Sequence, residues 1–304
     1  MLRRALLFLS ERERLKDLLL GLPVFRRVAG RFVAGDELDD ALRSARALNE
    51  DGLLVTLDHL GESVEDRPTA RAATEAYLES LDAVEASRAD ATISLKLTQL
   101  GLDIDVEFCA ENLRRILARA EELDNFVRID MERSDHTAST LDLFRRMWPR
   151  FRGRVGVVIQ AYLRRSERDV EELVELGAPV RLCKGAYDEP PELAYQDPER
   201  VDENFVRLVR MLLEGGAPTA VASHDGRMIE ATMEHMERIG LGRGDVEFQM
   251  LYGVRRDLQR EIAAEGHPMR IYVPYGSEWY PYLMRRMAER PANLGLILRA
   301  LVSG

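Results

Sequence analysis

Short apolar segments alternate along the chain with longer stretches whose apolar positions repeat at helical spacing. The short segments are nearly continuous in apolar residues, as expected for strands covered on both faces. Such an alternation is typical of parallel βα units and predicts an α/β fold. The segments predicted to be strands are residues 53–58, 91–97, 125–131, 155–161, 179–184, 218–224, 246–251 and 270–275.

The predicted helices between these strands have recognisable ends. Pro68 and Pro198 stand where a first helical turn tolerates a missing N–H, and Asp197 is suited to cap the second of these helices. Three other helices are predicted to end at Gly177, Gly215 and Gly240. No linker or break in composition separates the units, so together they predict one (β/α)8 TIM barrel.

Two segments lie outside the βα pattern. Residues 1–50 are predicted to form two or three helices packing on the barrel, residues 51–304 being the barrel itself, and residues 291–302 predict a further apolar helix. The chain starts with basic residues and a short apolar run, but charges return at 11–14 and no small-residue cleavage site follows. This pattern predicts a helix and not a signal peptide.

Composition narrows the function classes. Of 304 residues, 46% are hydrophobic and 32% charged, which is typical of a globular protein with a full core. A net charge of −10 opposes nucleic-acid binding, which depends on neutralising phosphates. Cys109 and Cys183 form neither a disulfide framework nor a metal motif, and they fit a reducing, cytoplasmic compartment. No uncharged segment approaches the ~20 residues that cross a bilayer.

Polar side chains gather at the predicted strand ends, where barrels of this type carry their active sites. They are Asp58 and His59, Lys96, Asp130, Gln160, Arg181 with Lys184, Ser223 with His224, Gln249, and Tyr272. A buried charge costs several kcal/mol unless it is compensated, so the charged members need partners or ligands. An anionic cofactor would supply one, and an ion-pair network within the barrel is the alternative.

The segment after the last strand carries a candidate anion site. If residues 278–290 are helical, Tyr282, Arg285 or Arg286, and Glu289 share one face. Two adjacent guanidinium groups on that face could hold a small carboxylate by bidentate hydrogen bonds. A solvated, arginine-rich helix surface explains the same pattern.

At these residues the sequence resembles the proline dehydrogenase family, over roughly residues 50–295. The blocks that carry the resemblance stand in family order: SLKL, RIDME, VIQAYLRRS, VRLCKGAY, ASHD, FQMLYG and YLMRRMAERPAN. The length resembles the monofunctional bacterial form, since it leaves no room for a second dehydrogenase domain. The resemblance implies a distorted barrel whose eighth helix lies over the barrel mouth, which would bring the arginine pair into the site.

The resemblance also implies roles for individual residues. The substrate-binding set is Lys96, Leu251, Tyr272, Tyr282, Arg285, Arg286 and Glu289. The flavin-binding set is Met131, Gln160, Arg181, Lys184, Gly185, Ala186, Ser223, His224 and Gln249. Asp130 and Arg181 resemble the catalytic residues, with Arg181 near the flavin, where a cation stabilises charge on the reduced ring. The alternative for Asp130 is a structural role as the partner of Lys96.

The implied reaction is oxidation of L-proline to 1-pyrroline-5-carboxylate, with hydride transfer to noncovalent FAD and onward electron transfer to a quinone, as the first step of proline catabolism. Hydroxyproline-preferring relatives tend to lack an aromatic residue at this position, so the resemblance implies that Tyr282 favours proline over hydroxyproline. The resemblance further implies pyrroline-5-carboxylate dehydrogenase as the pathway partner and a peripheral contact with the inner face of the cell membrane. The apolar positions of residues 1–28 fit either that contact or core packing.

Two other enzyme classes fit parts of the pattern. Another flavin barrel, such as a methylenetetrahydrofolate reductase, would need a folate site in place of the arginine pair. A Schiff-base lyase would use Lys184 or Lys96, because an aldolase lysine also stands at a strand end. A dinucleotide-binding fold is not indicated, since the glycines at 240, 242 and 244 follow a helix and not a strand.

Overall fold

In the computed structural model, which describes residues 30–280, 282 and 283, parallel strands β1–β8 close into a barrel in chain order. The strands are β1 Leu54–His59, β2 Ala91–Leu95, β3 Val127–Ile129, β4 Val155–Gln160, β5 Val180–Cys183, β6 Thr219–Ala222, β7 Val246–Leu251 and β8 Met269–Tyr275. The helices are α1 Leu38–Glu50, α2 Arg67–Ser87, α3 Val106–Glu122, α4 Ser134–Met147, α5 Ser166–Leu176, α6 Pro198–Glu214, α7 Gly226–Ile239 and α8 Arg256–Ala264. A short 3-10 helix, Arg243–Asp245, precedes β7.

All the predicted strands are present, and the (β/α)8 prediction is confirmed. The predicted segments run up to two residues past several strand ends, because apolar residues continue into the turns that follow, as at Leu97 and Ala161. Asp197 caps α6 by accepting from Glu199 N–H, as predicted, and Asp66 caps α2 in the same way. Gly177 and Gly240 end their helices at φ 64° and 76°, a conformation that favours glycine.

The apolar core lies between the barrel wall and the helices. In β3, for example, Val127 and Ile129 are buried in this core, and the alternation of a strand directs Arg128 to the barrel interior. Arg270 spans the lower interior, bonding Glu247 at 2.9 Å and the Val55 carbonyl at 2.7 Å. The interior is thus a packed, partly ionic layer beneath the strand ends.

The buried guanidinium of Arg128 depends on a glycine in the next strand. Arg128 Nη1 donates to the Pro179 carbonyl at 2.8 Å, and burial and the charge of Arg181 lower its pKa. A Cβ built on Gly156 would lie 2.4 Å from this nitrogen. Glycine at that position of β4 therefore makes the room that the arginine occupies.

The segments that flank the barrel are described in part. Helix α1 packs against β1 and β8 with Ala41, Leu42 and Ala45 buried. After β8 the chain is helical at Trp279–Tyr280 and again at 282–283. These residues begin the helix predicted at 278–290, which follows β8 and is distinct from α8. The division at residue 50 stays a prediction, and residues 1–29 and the helix predicted at 291–302 lie outside the described residues. No helix in the described part of the chain is long and apolar enough to span a membrane.

Candidate active site

A cavity of about 550 Å³ opens at the carboxyl ends of the strands. That volume is typical of small-molecule sites. Among the described residues it is lined by Asp58, Lys96, Asp130, Met131, Val158, Gln160, Arg181, Cys183, Lys184, Gly185, Ala186, Tyr187, Ala222, Ser223, His224, Asp225, Gln249, Met250, Leu251, Val254, Tyr272 and Tyr282. The six strands β1 and β4 to β8, and residues just after β2 and β3, all contribute to this set.

Two carboxylates and two cations form a connected chain in the cavity wall. Lys96 Nζ donates to Asp58 Oδ1 at 2.9 Å and lies 4.0 Å from Asp130 Oδ2. Arg181 Nη1 donates to Asp130 Oδ1 at 2.8 Å, and Nη2 donates to Ser94 Oγ at 3.0 Å. The ion-pair network expected as an alternative is therefore present, so these charges do not by themselves require an anionic cofactor.

Tyr272 completes the surroundings of Asp130. Its hydroxyl donates to Asp130 Oδ2 at 2.7 Å, and its ring lies 5.4 Å from the Arg181 guanidinium carbon. Burial and the charges of Asp130 and Asp58 raise the pKa of Tyr272 well above its ordinary value, so the phenol stays a neutral donor. Asp130 is thus held by Arg181 and Tyr272 at close range, and its approach to Lys96 is the longer one.

A second ionic group lies on the β5 and β6 side of the cavity. Lys184 Nζ donates to Asp202 of α6 and to Asp225 Oδ2, the latter at 2.9 Å. Asp225 also caps α7, because its side chain accepts from Arg227 N–H. Burial alone would raise the pKa of Asp225, but hydrogen bonds from Arg227 and Lys184 lower it to about 2. This group ties α6 and α7 to the cavity rim.

The lowered pKa of Asp225 predicts an acid-sensitive contribution to stability. A carboxyl whose folded pKa is depressed stabilises the fold above its unfolded value of 3.8, and this stabilisation is lost as pH falls toward about 2. Asp225→Asn should therefore have a lower free energy of unfolding than the parent chain, by an amount that is largest above pH 3.8 and decreases toward pH 2. Urea unfolding across this range measures it, and a difference independent of pH would contradict it.

Backbone at the end of β5 passes directly over an aromatic ring. Gly185 adopts φ 106°, and a Cβ there would lie 2.2 Å from Tyr162 Cδ1.

Two further polar side chains at the cavity have defined contacts. Leu251 N–H donates to His224 Nε2 at 2.9 Å, which places the imidazole proton on Nδ1. Gln160 Nε2 donates to the Met131 carbonyl at 3.4 Å, whereas its buried Oε1 has no hydrogen-bond partner among the described residues.

The Gly185→Ala variant is expected to be unstable because both the positive φ and the ring contact exclude a methyl group. We expect a loss of about 2–4 kcal/mol in free energy of unfolding, the sum of backbone strain and overpacking. Chemical denaturation checks this value. Gly244→Ala is the matched control, since nothing lies within 4 Å of a Cβ there. Equal stabilities of the two variants would mean that neither the positive φ nor the contact with Tyr162 destabilises Gly185→Ala.

The comparisons with known proteins agree with this architecture. A sequence model of the proline dehydrogenase family matches residues 41–298. The chain belongs to the proline dehydrogenase family. Proline dehydrogenase 2 of Bacillus subtilis (strain 168) is 40% identical over 276 residues, which cover 91% of each chain. Proline dehydrogenase of Deinococcus radiodurans is 37% identical over 306 residues, covering 99% of this chain and 98% of that protein.

A solved structure adds the fold-level comparison. The crystal structure of proline utilization A from Bdellovibrio bacteriovorus, inactivated by N-propargylglycine, has a TM-score of 0.83 and 28% sequence identity. The match covers 87% of this chain and 33% of that longer chain. The resemblance to proline dehydrogenases and the barrel predicted with it are both confirmed.

The structure brings together the predicted site residues that it describes. Those lining the cavity are Lys96, Asp130, Met131, Gln160, Arg181, Lys184, Gly185, Ala186, Ser223, His224, Gln249, Leu251, Tyr272 and Tyr282. Arg285, Arg286 and Glu289 lie outside the described residues. Tyr282 is buried at the cavity, which places the beginning of the last helix at the barrel mouth, as expected for the family. The individual roles of all the predicted site residues stay predictions.

Other residues of the site were not identified as such from the sequence. Ser94 stands two residues before Lys96, a spacing that puts both on one face of a strand, so alternation alone could have indicated it. No sequence pattern indicated Asp202, because it lies in α6 and not at a strand end, yet it contacts Lys184. His59 stands at the end of β1, as predicted, but among the described residues it lines a second cavity of about 410 Å³ and not the main one. Burial lowers its pKa.

Proposed function

We propose that the chain oxidises L-proline to 1-pyrroline-5-carboxylate, using noncovalently bound FAD. The observation that carries the proposal is the cavity itself, in a member of the proline dehydrogenase family. It combines cations for a carboxylate with the apolar and aromatic side chains of Leu251, Tyr272 and Tyr282 for a ring. Proline offers one anionic group and one apolar ring, which is the chemistry that this lining complements.

Substrate binding is assigned to two surfaces of the cavity. Lys96, with Arg285 and Arg286 of the helix predicted at 278–290, would hold the carboxylate, and Glu289 would orient the arginine pair. Tyr272 and Tyr282 would pack on the ring and keep water from the carbon that loses hydride. The carboxylate contact fixes orientation, and the aromatic contact favours proline over ring-hydroxylated substrates.

The opposite side of the cavity fits a flavin. Gln160 Oε1 is a buried acceptor without a donor among the described residues, which an N–H of a flavin ring would satisfy. Gly185 lines the same side of the cavity, where the Tyr162 ring excludes a side chain at this position. The residues that would hold the group are Met131, Gln160, Arg181, Lys184, Gly185, Ala186, Ser223, His224 and Gln249. The bound flavin would supply the hydride acceptor.

Within this scheme the chain's own residues do electrostatic and positioning work. Arg181 presents a fixed cation, and Asp130 and Ser94 hold it in place by hydrogen bonds of 2.8 and 3.0 Å. Such a preorganised charge stabilises negative charge that develops during reduction. Asp130 in turn receives the Tyr272 hydroxyl, so one carboxylate orients both the cation and an aromatic wall of the pocket.

One anaerobic titration tests the assignment. The purified protein should be yellow and should bleach on addition of L-proline, but not of D-proline or glycine, which present different shapes to the same charges. A yellow protein that is indifferent to L-proline would reject the substrate. Bleaching by a reduced nicotinamide would instead favour a methylenetetrahydrofolate reductase type of reaction, and borohydride trapping of a substrate carbonyl on Lys184 in colourless protein would favour a Schiff-base lyase.

We extend the proposal to the electron acceptor and the cellular setting. The reduced flavin would pass electrons to a membrane quinone, from a cytoplasmic protein in peripheral contact with the inner face of the membrane. A pyrroline-5-carboxylate dehydrogenase would consume the product as the next enzyme of proline catabolism. Stopped-flow reoxidation by a short-chain quinone, with and without vesicles of anionic lipid, tests the first two points. Reoxidation by oxygen alone would count against them.

A further inference from the structure

The chain uses lysine at very few positions. Only Lys16, Lys96 and Lys184 occur among 43 basic residues, and the other basic residues are arginines. Two of these lysines line the same cavity. An ammonium is a compact point charge that changes protonation readily on burial, whereas a guanidinium stays charged. The protonation state of a lysine in this cavity therefore depends on the charged groups beside it, and for Lys96 the nearest such group is Asp58.

Asp58 and Lys96 are a mutually dependent buried pair. Asp58 is fully buried, and its Oδ1 accepts from Lys96 Nζ at 2.9 Å. Its Oδ2 is also buried and has no hydrogen-bond partner among the residues that the structure describes. Lys96 is thus the cation that compensates this carboxylate, since an isolated charge would be costly at such a site. Asp130 is held by Arg181 and Tyr272 and stays 4.0 Å away.

We propose that Asp58 is a positioning residue that keeps Lys96 protonated and directed along the cavity wall, so that Lys96 binds the substrate carboxylate and serves neither as a base nor as a nucleophile. The inference deepens the proposed oxidation of proline and rests on it for the identity of the carboxylate. The pairing of Asp58 with Lys96 itself does not depend on which substrate is bound.

The charges around Lys96 act in the direction that this role requires. Burial alone would lower the pKa of Lys96, but Asp58 and then Asp130 more than offset it and raise the pKa above its ordinary value. The other described titratable groups that act on this pair are His59 of β1, Glu62 after β1, Tyr77 of α2, Glu132 after β3, Arg181 of β5, and Tyr272 and Tyr275 of β8. Of the carboxylates, Asp58 makes the short hydrogen bond to the ammonium.

Competitive labelling of amines tests the proposal without any assay of activity. Trace acetic anhydride reacts with neutral amines, and with only three lysines the labelled peptides are easily separated by mass spectrometry. In holoenzyme titrated from about pH 7 to about pH 11, Asp58→Asn should move the pH at which Lys96 labelling begins down by at least ~1 unit. Asp58→Glu, which keeps the charge, should move it less. An unchanged onset of Lys96 labelling in Asp58→Asn, or no labelling of Lys96 in that variant, would overturn the proposal.

Lys184 supplies the internal control. Its carboxylate partners are Asp202 and Asp225, so its labelling should be the same in Asp58→Asn and in the parent chain. The matched variant Asp225→Asn should change labelling at Lys184 and leave Lys96 unchanged. A change at both lysines in Asp58→Asn would indicate general loosening of the barrel and would count against a specific pairing.

Kinetics give the second readout. For Asp58→Asn we expect the KM for L-proline to rise about ten-fold, the loss expected for one charge-assisted hydrogen bond, with a smaller change in kcat. The alkaline limb of kcat/KM should move to lower pH, because Lys96 would lose its proton earlier. An unchanged KM and pH profile would overturn the role of Lys96 as a protonated anchor.

A double-variant cycle covers the case in which Asp58→Asn alone folds poorly. Replacing both partners removes both buried charges, which is tolerated better than leaving one unpaired. In a Lys96→Met background, adding Asp58→Asn should restore stability and change kcat/KM by less than two-fold, because Asp58 acts through Lys96. A further large loss of activity would contradict this. If the parent chain does not oxidise proline at all, the proposed function fails, while the labelling still decides the pairing.

Discussion

Replacing Asp130 by asparagine should lower kcat/KM for L-proline by at least ~100-fold, the effect expected when a catalytic group is displaced by about 1 Å. The carboxylate receives Arg181 at 2.8 Å and the Tyr272 hydroxyl at 2.7 Å, and Lys96 lies 4.0 Å away. Without its charge, two buried cations lose a counter-charge, and one of the two donors, Arg181 or the Tyr272 hydroxyl, loses its acceptor oxygen. Breaking a buried pair in this way also destabilises the fold, by about 3–5 kcal/mol.

Steady-state kinetics with an artificial electron acceptor, at saturating flavin, measures the first effect, and chemical denaturation measures the second. Asp142→Asn is the matched control, because Asp142 pairs with Arg145 on the surface and its side chain is 69% exposed. Exposed pairs contribute about 0–1 kcal/mol, so that variant should behave like the parent chain. An active, stable Asp130→Asn enzyme would show that Asp130 is only one of several interchangeable anions.

Replacing Arg181 by methionine should lower the midpoint potential of the bound flavin. The cation is held in the cavity by Asp130 and Ser94, and its loss also leaves the Asp130 charge less compensated. Both changes disfavour negative charge on a neighbouring reduced ring. A charged hydrogen bond contributes about 1.5–3 kcal/mol, which corresponds to a fall of about 30–60 mV in a two-electron couple.

Spectroelectrochemical titration of the holoenzyme checks this value directly. Arg181→Lys is the control, since it keeps a positive charge and should shift the potential less than methionine does. An unchanged or higher potential in Arg181→Met would remove the electrostatic role assigned to this residue. It would then leave Arg181 as a structural partner that orients Asp130.

Several site residues could be predicted from the sequence because the apolar pattern of each strand shows where the strand ends, and these residues stand at those ends. Lys96 stands directly after β2 and Asp130 directly after β3, where Asp130 N–H still bonds the Leu95 carbonyl at 2.8 Å. Parallel strands of a closed barrel all end on the same side, so polar residues at these ends must share one surface. The same logic located His59 at the end of β1 but not its cavity, because adjacent side chains of a strand point to opposite faces and Asp58 already occupies the inner one.

The partners of these residues could not be predicted in the same way. Asp202 lies within α6 and looks like any exposed acidic residue of a helix, yet it meets Lys184. Likewise, nothing local distinguishes Asp58 from Asp130 as the nearer partner of Lys96. These pairings depend on strand register and on which rotamers fit in a packed interior, and separation along the chain does not encode either.

The sequence by itself determined the succession of βα units, many of the helix ends and the residue types at the strand ends, because these features depend on periodicity and on backbone preferences within a few residues. The tertiary structure decided how the charges combine. Closure of β8 on β1 pairs Asp58 with Pro274 and carries the Tyr272 hydroxyl to Asp130, 142 residues earlier in the chain. Only a closed barrel brings such distant groups within hydrogen-bonding distance, and that distance determines which of them form one site.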